Sequence, residues 1–178
     1  MKTWITSILG AASILLFLPS LHAQADYTAY RTTRIQAGAG GLYLNTDYTE
    51  RSNKGVSAWA DYDFNRFLGA EAEAHFGSII SPDDIGENSY FIGPRISYRR
   101  GKASFYAKLL VGRATITNQE TNNSSTYNSY AYGGGLDYRV SQHFNVRVVD
   151  FEQQKWPDFE PHTLSPLAIS VGLMYIIR

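Results

Sequence analysis

Apolar and polar residues alternate at every second position in eight segments of this chain of 178 residues. Because successive side chains of a β-strand point to opposite faces, this period of two gives each strand one apolar and one polar face. The pattern predicts an all-β fold whose strands separate an apolar from a polar environment. The segments cover approximately residues 33–43, 55–64, 68–76, 89–99, 104–116, 129–140, 144–152 and 166–177.

The third segment, LGAEAEAHF at 68–76, is the hardest to assign because its residue types and its pattern disagree. Ala and Glu are good helix formers and poor strand formers. On a helix, however, the three alanines would be scattered around the cylinder. On a strand they share one face, and the opposite face carries Glu71, Glu73 and His75. We predict a strand, with lipid against the alanines and a polar interior against the acids.

The connections between the segments alternate between long and short along the chain. Short turns lie around 65–66, at 99–102 and at 141–143, and the other four connections are longer and polar. Long loops at one end of the sheet, short turns at the other and an even number of strands are typical of outer-membrane barrels. We therefore predict an eight-stranded antiparallel up-and-down transmembrane β-barrel. The alternative is a secreted soluble all-β sandwich, with which the mean hydropathy of −0.26 is also compatible.

Aromatic residues are frequent in the chain, which has 13 Tyr, 9 Phe and 3 Trp. Many lie on the apolar face near the ends of segments, where an apolar ring with a polar tip suits a boundary between lipid and water. A general preference of β-proteins for Tyr is the simpler explanation, but it does not account for the positions. The rings in question are Tyr43, Tyr62, Phe64, Phe76, Tyr90, Tyr98, Phe105, Tyr130, Tyr138 and Tyr175.

Residues 1–23 have the organisation of a secretory signal peptide, with a basic start, an apolar stretch at 5–18 and small residues at the cleavage positions. Cleavage after Ala23 and cleavage after Ala25 both fit. An uncleaved membrane anchor is less compatible, because the apolar stretch is shorter than the roughly 20 residues that a spanning helix needs. We predict an exported chain with a signal peptide at 1–23 and a barrel domain at 24–178.

Composition and motifs exclude several classes of function. Sixteen basic and 16 acidic residues balance each other, whereas nucleic-acid-binding proteins carry an excess of Lys and Arg. The chain has no cysteine, and therefore neither a disulfide framework nor a lipid-accepting Cys. It also has no Gly-rich phosphate loop and no HExxH motif. We predict no nucleic-acid partner, no cofactor, no metal and no catalytic residues.

The polar faces of the segments carry acidic and basic side chains in similar numbers. An eight-stranded barrel is just wide enough to be filled by side chains, and charges buried there must be paired. Inward glycines, among them Gly38, Gly93 and Gly135, leave room for long Arg and Lys side chains. We predict a structural lumen network, with His75 and Asp150 also facing inward. Its residues are Asp61, Asp63, Glu71, Glu73, Arg95, Lys108, Asp137, Arg139 and Arg147.

Two sets of residues suggest alternative, chemical roles. Glu71, Glu73 and His75 could form a metal or catalytic cluster, although two carboxylates on an inward face serve an ion-pair network equally well. In the last long loop, Glu160, His162 and Ser165 include the residue types of a lipid hydrolase, which needs a Ser and a His within hydrogen-bond reach. A polar loop explains them more simply.

Several stretches resemble the small outer-membrane β-barrel family that includes the barrel domain of OmpA and the OmpX-like proteins. They are IQAGAGG in the first segment, YFIGPRISYRRGK across the fourth and its turn, FYAKLLVG, YGGGLDYRV and the closing VGLMYIIR. The resemblance implies a closed barrel in the outer membrane of a Gram-negative-type bacterium. It also implies insertion by the barrel-assembly machinery with help from periplasmic chaperones.

The chain departs from this family at its end, where Ile176, Ile177 and Arg178 replace the usual terminal aromatic residue and Tyr175 is set back. We expect a non-enzymatic barrel with a plugged polar lumen that stabilises the envelope or presents its long loops to an extracellular partner. The alternatives are a lipid-modifying barrel enzyme and a narrow pore.

Overall fold

The computed structural model of the protein describes residues 33–47, 52–77, 79–80, 85–118, 123–159 and 163–177. The predicted signal peptide lies outside the described residues. Eight strands follow one another along the chain: β1 (Arg34–Asn45), β2 (Ser52–Asp63), β3 (Leu68–Phe76), β4 (Ile85–Arg100), β5 (Ala103–Asn118), β6 (Asn123–Arg139), β7 (Phe144–Lys155) and β8 (Leu167–Ile177).

The strands form a closed barrel in sequence order, and every neighbouring pair is antiparallel. Closure is made by β1 and β8, from the pair Ile35 and Ile177 to the pair Asn45 and Leu167. Because closure pairs both edge strands, the sheet has no exposed edge. The predicted eight-stranded up-and-down barrel is confirmed, and the soluble sandwich is excluded.

The three short connections lie at one end of the barrel, which we call the turn end, and the long connections lie at the loop end. At the turn end, Asn65 accepts hydrogen bonds from the backbone N–H groups of Phe67 and Leu68 through its side-chain oxygen. Gly101 takes a φ of 61° in the turn between β4 and β5, a left-handed conformation that glycine adopts without strain.

The outer surface of the barrel is apolar. On β4, Ile92 and Ile96 are 61% and 59% exposed between the outward rings of Tyr90 and Tyr98. These two rings are eight residues apart, or about 26 Å along the strand, which at a tilt of about 40° spans about 20 Å of the roughly 25 Å apolar band of an outer-membrane barrel. On β4, Tyr90 and Tyr98 thus bound the part of the strand that lies within the membrane. Among the described residues, no helix is long and apolar enough to cross a bilayer.

Six strands extend farther toward the loop end than their alternation indicates, β6 by six residues. β4 begins at Ile85, and β5 and β6 pair as far as Asn118 and Asn123. In the extensions of β4, β5 and β6 most residues on both faces are polar, so the sequence loses the apolar alternation although the hydrogen-bonded ladder continues. The doubled Val148–Val149 interrupts the alternation of β7 and indicates a β-bulge, and the β7–β8 register does shift between Arg147 and Asp150.

Candidate functional site

The interior of the barrel is filled by charged side chains that the strand register brings side by side. In the strand register, Asp61 lies directly opposite Glu71, Arg95 opposite Lys108, and Asp137 opposite Arg147. All of these side chains point inward and are at most 5% exposed. Closure of the barrel then places cations of one wall opposite carboxylates of the other.

Arg147, on β7, is the most connected cation of this network. Its guanidinium lies 2.8 Å from Glu71, 3.1 Å from Glu73, 3.3 Å from Asp137 and 3.4 Å from Asp61. These carboxylates come from β2, β3 and β6, so one fully buried side chain links four strands. Because charge-assisted hydrogen bonds are strong in a low-dielectric interior, Arg147 holds these walls of the barrel together.

Arg95, on β4, makes a second link across the lumen. Its guanidinium donates hydrogen bonds to Asp61 and to Asp137, and it lies 3.4 Å from Glu71. Asp61 and Asp137 belong to β2 and β6, on either side of β4. One planar group with two donor edges therefore bridges strands that are not neighbours in the sheet.

Lys108, on β5, occupies the centre of a third cluster. Its ammonium donates hydrogen bonds of 2.6 Å to both oxygens of Glu73 and to Asp150, and it lies 3.1 Å from Glu152 and 3.7 Å from Glu71. The contact joins β5 to β3 and β7. Together the three cations connect β2 to β7 through the interior.

Two aromatic rings complete the layer of charges. The guanidinium carbon of Arg95 lies 3.9 Å from the ring centre of Tyr106, and that of Arg147 lies 4.4 Å from Trp59. Small residues make room for these rings: a Cβ at Gly38 would lie 2.8 Å from the indole nitrogen of Trp59, and one at Gly135 would lie 2.6 Å from the Tyr106 hydroxyl. We predicted that inward glycines admit Arg and Lys, whereas at these two positions they admit the rings on which the arginines stack.

Acids outnumber bases in this network. The described part of the lumen places six buried carboxylates around the three cations: Asp61, Glu71, Glu73, Asp137, Asp150 and Glu152. Within the part of the chain that the structure describes, four of these carboxylates retain an oxygen without a hydrogen-bond partner. With all groups ionised the network is therefore negatively charged, and each cation in it is difficult to replace.

Seven of the nine residues predicted for the lumen network lie in it, and two lie elsewhere. Asp63 forms an ion pair with Arg99, closer to the turn end. Arg139 is half-buried at the rim of the turn end, and no salt bridge joins it to a described carboxylate. Sequence reasoning missed Glu152, although alternation beyond the bulge points it inward, two residues after Asp150.

The sequence analysis predicts no metal, with a metal or catalytic cluster of Glu71, Glu73 and His75 as the alternative. The structure offers two buried triads whose ligand atoms lie within 4.8 Å of one another: Glu73, His75 and Glu152, and Glu71, Glu73 and Asp150. The Lys108 ammonium lies within 3.7 Å of all four of these carboxylates. The positive charge of Lys108 thus already offsets part of the negative charge of both triads.

Toward the loop end the lumen contains an apolar layer as well as buried polar side chains such as Ser89 and Gln154, and the sequence analysis did not predict this layer. Three clusters of buried side chains lie there, and Tyr127 stacks on Trp156 with ring centres 6.2 Å apart. This layer is contributed by Leu42, Leu44, Phe91, Leu110, Ala114, Ala131, Trp156, Leu164 and Ala168. Together the ionic and apolar layers fill the interior along most of its length.

One carboxylate lies apart from the ionic network. Glu87 is on β4, three residues beyond the outward ring of Tyr90 and thus outside the membrane-spanning segment. It is 1% exposed, and neither of its oxygens has a hydrogen-bond partner among the described residues. Burial raises the pKa of Glu87 from 4.5 to about 8, because the charged form loses its hydration.

The residue types of a lipid hydrolase are not brought together within the described residues. Glu160 and His162 lie outside them. The Ser165 hydroxyl accepts a hydrogen bond from Lys155, and the Ser165 backbone N–H donates one of 3.1 Å to Asp47. This serine therefore anchors the loop between β7 and β8 to β7 itself and to the loop after β1.

Comparison with known proteins identifies the family. Residues 11–176 match the model of the outer membrane protein beta-barrel domain, so the chain belongs to this family of outer-membrane β-barrels. This match confirms the resemblance to small outer-membrane β-barrels and the predicted location in the outer membrane of Gram-negative bacteria. The turn end consequently faces the periplasm and the loop end the cell exterior. The comparison with curated proteins finds no significant match.

Solved structures of small outer-membrane barrels share the fold at low sequence identity. Ail, the attachment invasion locus protein of Yersinia pestis, is 19% identical with a TM-score of 0.52 in its complex with the heparin analogue sucrose octasulfate, and the alignment covers 82% of this chain and 97% of Ail. Neisserial surface protein A is 15% identical with a TM-score of 0.57, covering 81% and 96%. OprG from Pseudomonas aeruginosa is 12% identical with a TM-score of 0.55, covering 86% and 100%.

Proposed function

We propose that this protein is a non-enzymatic structural barrel of the outer membrane that keeps its lumen closed and presents an ordered surface to an extracellular partner. The observation that carries the proposal is the ionic network, in which Arg95, Lys108 and Arg147 are each at most 5% exposed while they connect opposite walls. Such a network supports the barrel and blocks it at the same time.

Closure of the lumen argues against a pore. A solute that crosses the barrel must separate Arg147 from carboxylates at 2.8 and 3.1 Å, and then pass the apolar layer around Trp156. Breaking one buried ion pair costs about 3–5 kcal/mol, and several must break together. We therefore expect the resting barrel not to conduct small solutes.

The extracellular part of the barrel forms an ordered and exposed surface. Beyond the outward ring of Tyr130, β6 continues for seven residues to Asn123, or about 23 Å, and remains paired with β5. The β7–β8 loop braces this hairpin through a hydrogen bond of 3.0 Å from Asn128 to Asp158 and through the Tyr127–Phe159 ring contact. A partner would thus meet a surface that is already ordered, which lowers the entropic cost of binding.

The chemistry of the exposed hairpin favours a polar partner. Its residues Asn123, Ser124, Ser125 and Thr126 are all exposed, and the hydroxyls of Thr115 and Thr126 lie 3.0 Å apart across the two strands. Ail, which shares the fold, was crystallised with a heparin analogue. We infer an extracellular ligand that is recognised through hydrogen bonds to hydroxyl and amide groups.

The remaining parts of the proposal concern biogenesis and chemistry. Residues 1–23 act as a cleaved signal peptide, and residues 24–178 form the domain that periplasmic chaperones deliver to the barrel-assembly machinery. The lumen network has a structural role and uses neither metal nor cofactor. Lipid A from cells with and without the protein should give the same mass spectrum, whereas a lost acyl chain would contradict the non-enzymatic role.

Two experiments test the closed barrel and its presented surface. Liposomes that contain the purified protein should swell in sugar solutions no faster than empty liposomes, with a general porin as positive control, and faster swelling would contradict closure. For the surface, residues 115–126 are replaced by Asn-Gly, a two-residue hairpin turn.

The shortened protein is expressed in a strain from which the gene is deleted, which distinguishes the structural role of the barrel from the role of the hairpin surface. If the deletion increases sensitivity to detergent and the shortened protein corrects it, the barrel is structural. If only the full-length protein corrects the defect although both proteins fold, the hairpin surface is required. A deletion strain as resistant as its parent would contradict the structural role.

A further inference from the structure

Charged side chains are distributed unequally between the two faces of the barrel wall. The lumen holds an excess of carboxylates, whereas the outward faces of the eight described strands carry neither Asp nor Glu. The charged residues on these outward faces are all cations. One of them, Arg100, lies toward the turn end, and the other three lie toward the loop end: Lys54, Arg113 and Lys155.

Each of the three loop-end cations lies directly opposite an outward tyrosine of the neighbouring strand. These tyrosines are between 41% and 52% exposed and belong to the rings that mark the boundary between lipid and water. Lys and Arg carry their charge on a long apolar stem, so the stem can lie against lipid while the charge reaches the headgroup layer. The pairs are Tyr43 with Lys54, Tyr90 with Arg113, and Tyr130 with Lys155.

The side chains of Lys54 and Arg113 are exposed, and no described residue forms an ion pair or a hydrogen bond with either of them. The ammonium of Lys155 donates a hydrogen bond to the hydroxyl of Ser165, which is a neutral partner. An ammonium has three donors, so two remain on Lys155. All three cations therefore keep their charge and at least part of their donor capacity.

Two exposed carboxylates lie at the loop end of the described chain, Asp47 and Asp158. Asp47 accepts a hydrogen bond from the Ser165 backbone N–H, and Asp158 accepts one from the amide of Asn128. Within the described ranges, no salt bridge joins either carboxylate to a cation. The positive charge at this level of the barrel is thus available to an anion from outside the chain.

We propose that these three cations bind phosphate groups of the lipid in the outer leaflet of the membrane. A guanidinium donates two parallel hydrogen bonds to phosphate oxygens, and an ammonium pairs with them as a point charge. Basic side chains next to a membrane-spanning segment attract anionic headgroups, each by about fivefold in affinity. The ligand is part of the membrane itself, so the inference is independent of the extracellular partner of the hairpin.

A soluble extracellular polyanion is the alternative occupant, and the position of Arg113 favours lipid. Beyond Arg113, β5 continues for five residues to Asn118, or about 17 Å, and stays paired with β6. A soluble polymer would have to descend along this hairpin into the headgroup layer. A lipid of the outer leaflet already lies at that level.

The purified barrel is prepared in octyl glucoside, a detergent without phosphate, and titrated with lipid A that carries two phosphate groups. Native mass spectrometry measures the bound lipid. Removing the phosphates from the lipid should weaken binding about tenfold, and the double variant Lys54→Gln/Arg113→Gln should weaken it about fivefold or more. Arg113→Lys keeps the charge and should bind within about threefold of wild type. Lys155 is left unchanged because it also anchors Ser165.

The matched control is Arg100→Gln, because this outward cation lies at the turn end and faces the inner leaflet. Barrels extracted from outer membranes should retain as much lipid A in Arg100→Gln as in wild type, and less than half as much in the double variant. Heat-dependent mobility on gels verifies that every variant is folded.

Three results would overturn the proposal: equal binding of the lipid without phosphates, unchanged binding by the double variant, or an equal loss of lipid in Arg100→Gln. Displacement of the bound lipid A by a soluble sulfated oligosaccharide would also overturn it, in favour of an extracellular polyanion.

Discussion

Replacing Arg147 by Met tests whether the ionic network stabilises the barrel. Met is unbranched and flexible, and although it is shorter than Arg it fills most of the space while it removes the guanidinium. The substitution leaves Glu71, Glu73 and Asp137 without their contacts at 2.8, 3.1 and 3.3 Å. It also removes the stacking of Arg147 on Trp59 at 4.4 Å.

The expected loss follows from burial and from the charge imbalance. Arg147 is fully buried, and removing one member of a buried ion pair costs about 3–5 kcal/mol. The network already has six carboxylates for three cations, so the remaining Arg95 and Lys108 cannot balance it. We expect a loss at the upper end of this range, about 4–5 kcal/mol, which is a large part of the 5–15 kcal/mol typical of a folded domain.

The free energy of unfolding is measured by urea titration in liposomes, with tryptophan fluorescence and heat-dependent gel mobility as two readouts. The control is Arg113→Met, because Arg113 points outward and is exposed, and we expect a change below about 0.5 kcal/mol. Adding Glu71→Gln to Arg147→Met removes one surplus charge and should restore at least about 1 kcal/mol. A loss below 1 kcal/mol for Arg147→Met alone would refute a stabilising network.

Three further substitutions test other parts of the barrel. Burial raises the folded-state pKa of Glu87 from 4.5 to about 8, so the wild type should lose stability as the pH rises through this interval, by on the order of 3–5 kcal/mol. In urea titrations from pH 5 to 9, the free energy of unfolding of Glu87→Gln should therefore depend less on pH than that of the wild type. Gly135→Ala, whose Cβ would lie 2.6 Å from the Tyr106 hydroxyl, should cost about 1–3 kcal/mol in the same assay, whereas Gly41→Ala, with open space around its Cβ, should cost less than about 1 kcal/mol. Trp156→Ala removes a fully buried ring and should cost about 3–5 kcal/mol. Limited proteolysis of the extracellular hairpin should also become faster. An unchanged rate would be evidence that the β7–β8 loop does not brace the hairpin.

Local patterning predicted the strands well wherever one face meets lipid. β3 was predicted at 68–76 and spans Leu68–Phe76, although its Ala and Glu residues favour a helix. Burial of one face against lipid outweighs a propensity difference of a few tenths of a kcal/mol per residue. The inward direction of Glu71 and Arg95 follows from the same alternation, since a shift by one residue would place both charges in lipid.

The sequence by itself determined the number of strands, their order, the face that each side chain occupies and the location in the outer membrane. These properties depend on neighbours along the chain, on loop lengths and on the solvent of each face. The tertiary structure alone decided which charges meet across the lumen: Asp63 with Arg99, Lys108 with Asp150, and Arg139 at the periplasmic rim. The physical reason is that contacts across a barrel depend on the stagger accumulated over all eight strands at closure, which no single strand encodes.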